Sequence, residues 1–121
     1  MIEKLIKNYG SLCDSWIDEI SIKKIMKNSI EKVVISVEIN SANIIKGYKY
    51  EKICLIFEEV LCFTFKDDTT INLSPKEVYI NYDNNTILFD FDPIDNFDSL
   101  EENNDSNFKI ISKILTFEII S

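Results

Sequence analysis

Between Leu88 and Asn107 the chain carries Asp90, Asp92, Asp95, Asp98, Glu101, Glu102 and Asp105 and not one Lys. Carboxylates at this density could hold a divalent cation, work as a general acid and base pair, or attract a cationic partner. A calcium loop needs a Gly at its turn and a Glu at its twelfth position, and this segment supplies neither. A glycosidase pair needs a sugar cleft lined by aromatics, which a domain this small seldom builds. The third use fits best. Carboxylates interleaved with Phe89, Phe91, Ile94, Phe97 and Leu100 set charge around apolar anchors, which suits a basic protein and repels nucleic acid and anionic membrane. Asp92, Asp95, Phe97, Asp98, Leu100, Glu101 and Glu102 are the partner-binding residues this pattern selects.

Other catalytic devices lack their residues. With no His in the chain, Ser-His-Asp and Cys-His nucleophiles, imidazole bases and His-ligated zinc are excluded. Cys13, Cys54 and Cys62 are too far apart to form paired thiolate knuckles, and two isolated Gly cannot make a phosphate loop. The reading is a protein without catalytic residues, metal or cofactor. Three Cys leave one over from any disulfide scheme, so they are expected as reduced thiols in the core of a cytoplasmic protein. The charged N-terminal run Met1 to Lys7 has no signal-peptide pattern. No apolar stretch has the length of a membrane span. All the basic residues are Lys and the net charge is -8, so the Arg fork that reads phosphate and guanine is absent and no nucleic-acid partner is expected.

The elements that must position these residues follow from periodicity. At 121 residues and 45% hydrophobic, the chain is expected as a single domain, 1–121, with a core of its own. Ile2, Leu5, Ile6 and Tyr9 fall at helical spacing, with Gly10 as the stop. Period two then dominates. Trp16 to Met26 reads as a bulged strand, and 30–40 as a half-buried strand, with Lys27, Asn28 and Ser29 at the hairpin tip. In 50–66, Ile53, Leu55 and Phe57 share a face that Leu61, Phe63 and Phe65 resume. Glu58 and Glu59 between the triplets imply a turn, a bulge or a strand crossing an edge. Val78 to Tyr82 and Ile87 to Phe91 form a hairpin over Asp83, Asn84 and Asn85, with Pro93 as the strand end. Phe108 to Ile120 is the last strand, kinked around Ser112 and Lys113. The expected fold is mainly β: an antiparallel two-layer sandwich or strongly twisted sheet of six to seven strands with a short N-terminal helix.

Two aromatic features have bland and functional readings. Trp16 could close one end of the core with its indole N–H bonded to a carbonyl, or anchor a partner between Asp14, Asp18 and Glu19. Phe57, Phe63, Phe65, Phe89, Phe91 and Phe117 are expected in the core. Tyr48, Tyr50, Tyr79 and Tyr82 alternate with polar neighbours and are candidates for an outward-facing interface.

The run Leu12-Cys13-Asp14-Ser15-Trp16-Ile17-Asp18-Glu19-Ile20 resembles the Leu/Phe-His-Asp-Ser-x-Ile-x-x-Ile opening of small β-rich bacterial proteins, some of them immunity proteins of polymorphic-toxin or contact-dependent inhibition systems. Cys13 stands where that opening has His. Ile53 to Val60 and Phe108 to Lys113 are similar to the family's later strands. The resemblance implies a compact β fold, no catalytic residue, and the binding and neutralising of a cognate toxin domain. Asp14 and Ser15 would then fix the entry of the first strand by bonding nearby backbone N–H groups. The rival functions are a protein-interaction or structural module unrelated to toxins, and a carrier of a small apolar ligand.

Overall fold

The computed structural model describes residues 1–66, 73–83 and 85–121. Its elements are a helix α1 (Ile2–Tyr9), a single 3-10 turn (Ile44–Lys46) and eight strands: β1 (Trp16–Lys27), β2 (Ile30–Asn43), β3 (Lys49–Phe65), β4 (Tyr79–Tyr82), β5 (Ile87–Asp90), β6 (Ile94–Asp95), β7 (Leu100–Glu101) and β8 (Phe108–Ile119). Six strands form one antiparallel sheet in the order β1-β2-β3-β8-β5-β4, and β6 pairs with β7 in a separate ribbon. The fold is mainly β with one short N-terminal helix, as the alternation implies.

Alternation decides which face is buried. Ile35, Val37 and Ile39 of β2, Ile53, Leu55 and Phe57 of β3, and Ile110 and Leu115 of β8 all point inward and are buried. Ile2, Leu5 and Tyr9 of α1 close over them, together with Leu12. Gly10 ends the helix at φ 60, a left-handed conformation that Gly adopts without strain. Asn28 and Ser29 take φ 54 and 63 at the β1–β2 tip, the paired positive angles of a tight hairpin. Asn84, expected in the β4–β5 turn, lies outside the described residues.

Three features depart from plain alternation. β3 runs unbroken through Glu58 and Glu59. Glu59 takes φ 51, and the register against β8 slips between Val60 and Cys62, opposite Ser112 and Ile111. The bulge is therefore the correct one of the three readings of Glu58 and Glu59. One consequence is that Phe63 is exposed and not in the core. β5 ends at Asp90 before Pro93 is reached, because the Asp90 carboxylate captures the N–H of Asp92 at 3.0 Å and turns the chain. Finally, the N–H groups of Asp14, Ile17 and Val78 donate to the carbonyls of Lys76, Leu73 and Ser11. These bonds tie the entry of β1 to the entry of β4, drawing the two ends of the sheet order together.

Candidate functional site

The acidic segment is a small structured projection. β6 and β7 pair Ile94 with Glu101 and Asp95 with Leu100. The tip closes through Asn96 N–H to the Ser99 carbonyl at 2.9 Å and Asp98 N–H to the Asn96 carbonyl at 2.6 Å. Phe97 sits at that tip with φ 68 and a relative exposure of 103%. A bulky residue in the left-handed region costs about 1 to 2 kcal/mol, and here no packing repays the strain.

The base of the projection is rigid. Asp90 is fully buried; its carboxylate accepts from Ser106 Oγ at 2.6 Å, Asp92 N–H at 3.0 Å and Asn103 N–H at 2.7 Å. Asn103 Nδ2 donates to the Asp92 carbonyl at 3.0 Å, and Asp92 Oδ2 accepts from Asn107 N–H at 3.3 Å. Phe91 then stacks on Phe108 at 4.3 Å and lies 5.9 Å from Phe89, which meets Phe57 edge-on at 5.1 Å. Buried aromatic rings of this kind each contribute about 1.5 to 3 kcal/mol, so the hairpin stands on the main core.

The seven residues selected from sequence therefore divide. Asp95, Phe97, Asp98 and Glu101 are exposed on the projection. Leu100 is half-buried and helps line a cavity of about 400 Å³ between the projection and Ser74, Pro75, Lys76 and Glu77. Asp92 is half-buried in the loop framework. Glu102 is compensated by Lys109 at 2.7 Å.

A second surface lies on the outer face of β1, β2 and β3. Trp16 packs against Tyr50 with ring centroids 5.1 Å apart and the planes tilted by 36°, and both are exposed. This corrects the core-closing reading of Trp16: the bulge between Ile17 and Glu19 leaves it opposite Asn40 on the outer face. Tyr50 Oη donates to the Asp14 carbonyl at 3.0 Å and, with Tyr48, Ile44 and Cys13, lines a cavity of about 430 Å³. Tyr82 is exposed on β4 and Tyr79 half-buried, so the four tyrosines do not form one cluster. Ser15 does not cap the strand entry; its hydroxyl is buried without a partner among the described residues. None of the three thiols is fully buried: Cys13 and Cys62 are exposed and Cys54 is half-buried.

Sequence reasoning missed Glu51. It shares the inward face of β3 with Ile53 and Leu55, is 7% exposed, and accepts from Tyr9 Oη at 2.8 Å, Asn43 Nδ2 at 2.7 Å and Lys46 Nζ at 2.8 Å. The Lys46 and Asn43 bonds pull its carboxyl down to about 2, and burial followed by the Glu51 bond pushes the Tyr9 phenol above its ordinary range. Asn43 also accepts from the N–H groups of Ile45 and Lys46 through Oδ1, folding the turn that delivers Lys46. The group pins α1 to the sheet.

Among the described residues, no three His, Cys, Asp or Glu side chains converge to hold a metal ion, and no helix is long and apolar enough to cross a membrane. The fold and these surfaces define a small antiparallel β protein with a buttressed acidic hairpin. Compared with known proteins, the chain matches no family model, no curated protein and no solved structure at a significant level.

Proposed function

We propose that the protein is an immunity-type inhibitor that binds and neutralises a cognate bacterial toxin domain in the cytoplasm, receiving a basic face of the toxin on the β6–β7 hairpin. The observation that carries this reading is Phe97: a fully exposed ring in a strained backbone conformation, surrounded by Asp95, Asp98 and Glu101. An unpacked aromatic held at the tip of a structured hairpin, where the chain itself gives the ring no contact, is the kind of anchor that a partner's pocket would fill. The carboxylates steer a cationic surface toward it and set the encounter rate. The resemblance at Leu12 to Ile20 supports the same role, and the reading involves no catalytic step. The runner-up, an interaction module unrelated to toxins, is favoured by the exposed Trp16 and Tyr50 pair, which offers an aromatic contact on the sheet itself, away from the hairpin.

The test is co-production with the C-terminal domain of the protein encoded by the adjacent gene. Protection of growth, with a dissociation constant of about 1 nM or tighter, is the expected result. Binding weaker than about 1 μM with no protection would favour the module.

A further inference from the structure

We propose that the outer edge of β1 binds a second copy of this chain, in an antiparallel ladder centred on Ser21. β1 stands at one end of the sheet order. Among the described residues its outer edge is taken only at Ile17, whose N–H donates to the Leu73 carbonyl. An edge left unpaired by the described residues over this length is a template for another strand.

The sequence of the edge is self-complementary. Two copies of Glu19-Ile20-Ser21-Ile22-Lys23, run antiparallel about a two-fold axis at Ser21, place Glu19 opposite Lys23 of the second copy, Ile20 opposite Ile22, and Ser21 opposite itself. Each unlike pair occurs twice, as a two-fold interface requires. The faces agree as well. Within the sheet Ile20 faces Val37 and Ile22 faces Ile35, while Glu19 faces Glu38. The isoleucines thus lie on the inner face and the charges on the outer one.

Two features of the lone chain find their complement in this arrangement. The inner-face row Leu115, Phe57, Ile35, Ile22 is buried until it reaches Ile22, which is 42% exposed. Pairing continues that row into Ile20, Val37 and Leu55 of the second copy. On the outer face Glu19 and Glu38 are directly opposed, an arrangement that destabilises a sheet, and Lys52, the cation nearest both, is bonded to Asp18. Lys23 of the second copy would stand beside Glu19 and relieve it. The ladder ends there, because the Asp18 bulge bends β1 and Leu73 holds the edge beyond.

The experiment is sedimentation of the full chain across a concentration series. The expected species has twice the 14.1 kDa chain mass. Lys23→Glu alone and Glu19→Lys alone should each weaken the dimer about tenfold or more, by placing like charges opposite each other. The double swap Glu19→Lys with Lys23→Glu should restore it. Ser21→Cys, with Cys13, Cys54 and Cys62 changed to Ser, should cross-link to itself on mild oxidation, since paired strands bring opposite Cα atoms within disulfide reach. A folded wild-type chain that stays monomeric at about 100 μM, where such an edge should pair, would overturn the proposal. So would a dimer indifferent to both single reversals, or one in which Ser21→Cys does not cross-link.

Discussion

The Asp90 carboxylate and the Ser106 hydroxyl lie 2.6 Å apart, sixteen positions apart in sequence, with both residues shielded from solvent. This bond closes the base of the loop that carries Asp95, Phe97, Asp98 and Glu101, so the buried end of the acidic segment builds the structure and the other end is left exposed.

Replacing Asp90 by Ala should therefore be among the costlier single changes in the chain. It strands the half-buried N–H groups of Asp92 and Asn103, while the Ser106 hydroxyl keeps the Phe108 carbonyl at 3.0 Å, and unpaired buried donors cost about 1 to 3 kcal/mol each before relaxation. The expected loss is about 2 to 4 kcal/mol in urea unfolding. A loss under about 0.5 kcal/mol, the level of a surface change, would show that the loop closes without this carboxylate.

Glu51 makes stability depend on acid. Its folded carboxyl titrates at about 2, below the ordinary 4.5, chiefly through the Lys46 and Asn43 bonds. A depressed carboxyl contributes stability that is whole above pH 4.5 and is lost as pH falls toward 2. Glu51→Gln should lower stability at neutral pH by about 1 to 3 kcal/mol and flatten the melting temperature between pH 4.5 and pH 2 relative to wild type. Parallel pH profiles for the two proteins would contradict the assignment.

The thiols should separate by rate. Burial first, then Glu38, Glu118 and Glu19, raise the Cys54 thiol above its ordinary value, whereas Cys13 and Cys62 are exposed. Because the thiolate is the reactive form, a disulfide reagent at pH 8 should modify two thiols quickly and the third about tenfold or more slowly. Glu38→Gln should speed the slow phase. Three equal rates would mean that Cys54 is as open as the others.

Much of this architecture was legible in alternation, and the exceptions have local causes. The helix stop at Gly10, the tip at Asn28 and Ser29, and the long run of β3 follow from residue chemistry and period two. Strands β6 and β7 hold two residues each, too few to leave a period, so nothing in the acidic segment's spacing announces a hairpin. The bulge near Asp18 was legible too, since Ile17 and Ile20 differ in parity, but its position decides the face of Trp16, which alternates with the buried Ile17 and so points outward. Glu51 could have been found: it keeps the parity of Ile53, Leu55 and Phe57, and an acid on a buried face implies a bonding network. The symmetry about Ser21 was equally visible, but it acquired meaning only when the sheet order placed β1 at an edge.

The hairpin prediction separates anchoring from steering. Phe97 is wholly exposed at φ 68, so Phe97→Gly relieves left-handed strain while adding freedom to the unfolded chain. These effects oppose each other, each at about 1 kcal/mol. The variant should therefore fold with stability within about 1 kcal/mol of wild type. Phe97→Ala keeps the strain and removes only the ring. If the ring fills a pocket on the partner, both variants should dissociate about thirtyfold faster, the scale of a central interface residue. Changing Asp95 and Asp98 to Asn and Glu101 to Gln should act differently, slowing association and flattening its salt dependence with little effect on dissociation. Glu102 is left unchanged because Lys109 already compensates it. Surface plasmon resonance at two salt concentrations reads all of these rates. If Phe97→Ala leaves the dissociation rate at its wild-type value, the hairpin is not the docking site, and the Trp16 and Tyr50 face takes its place.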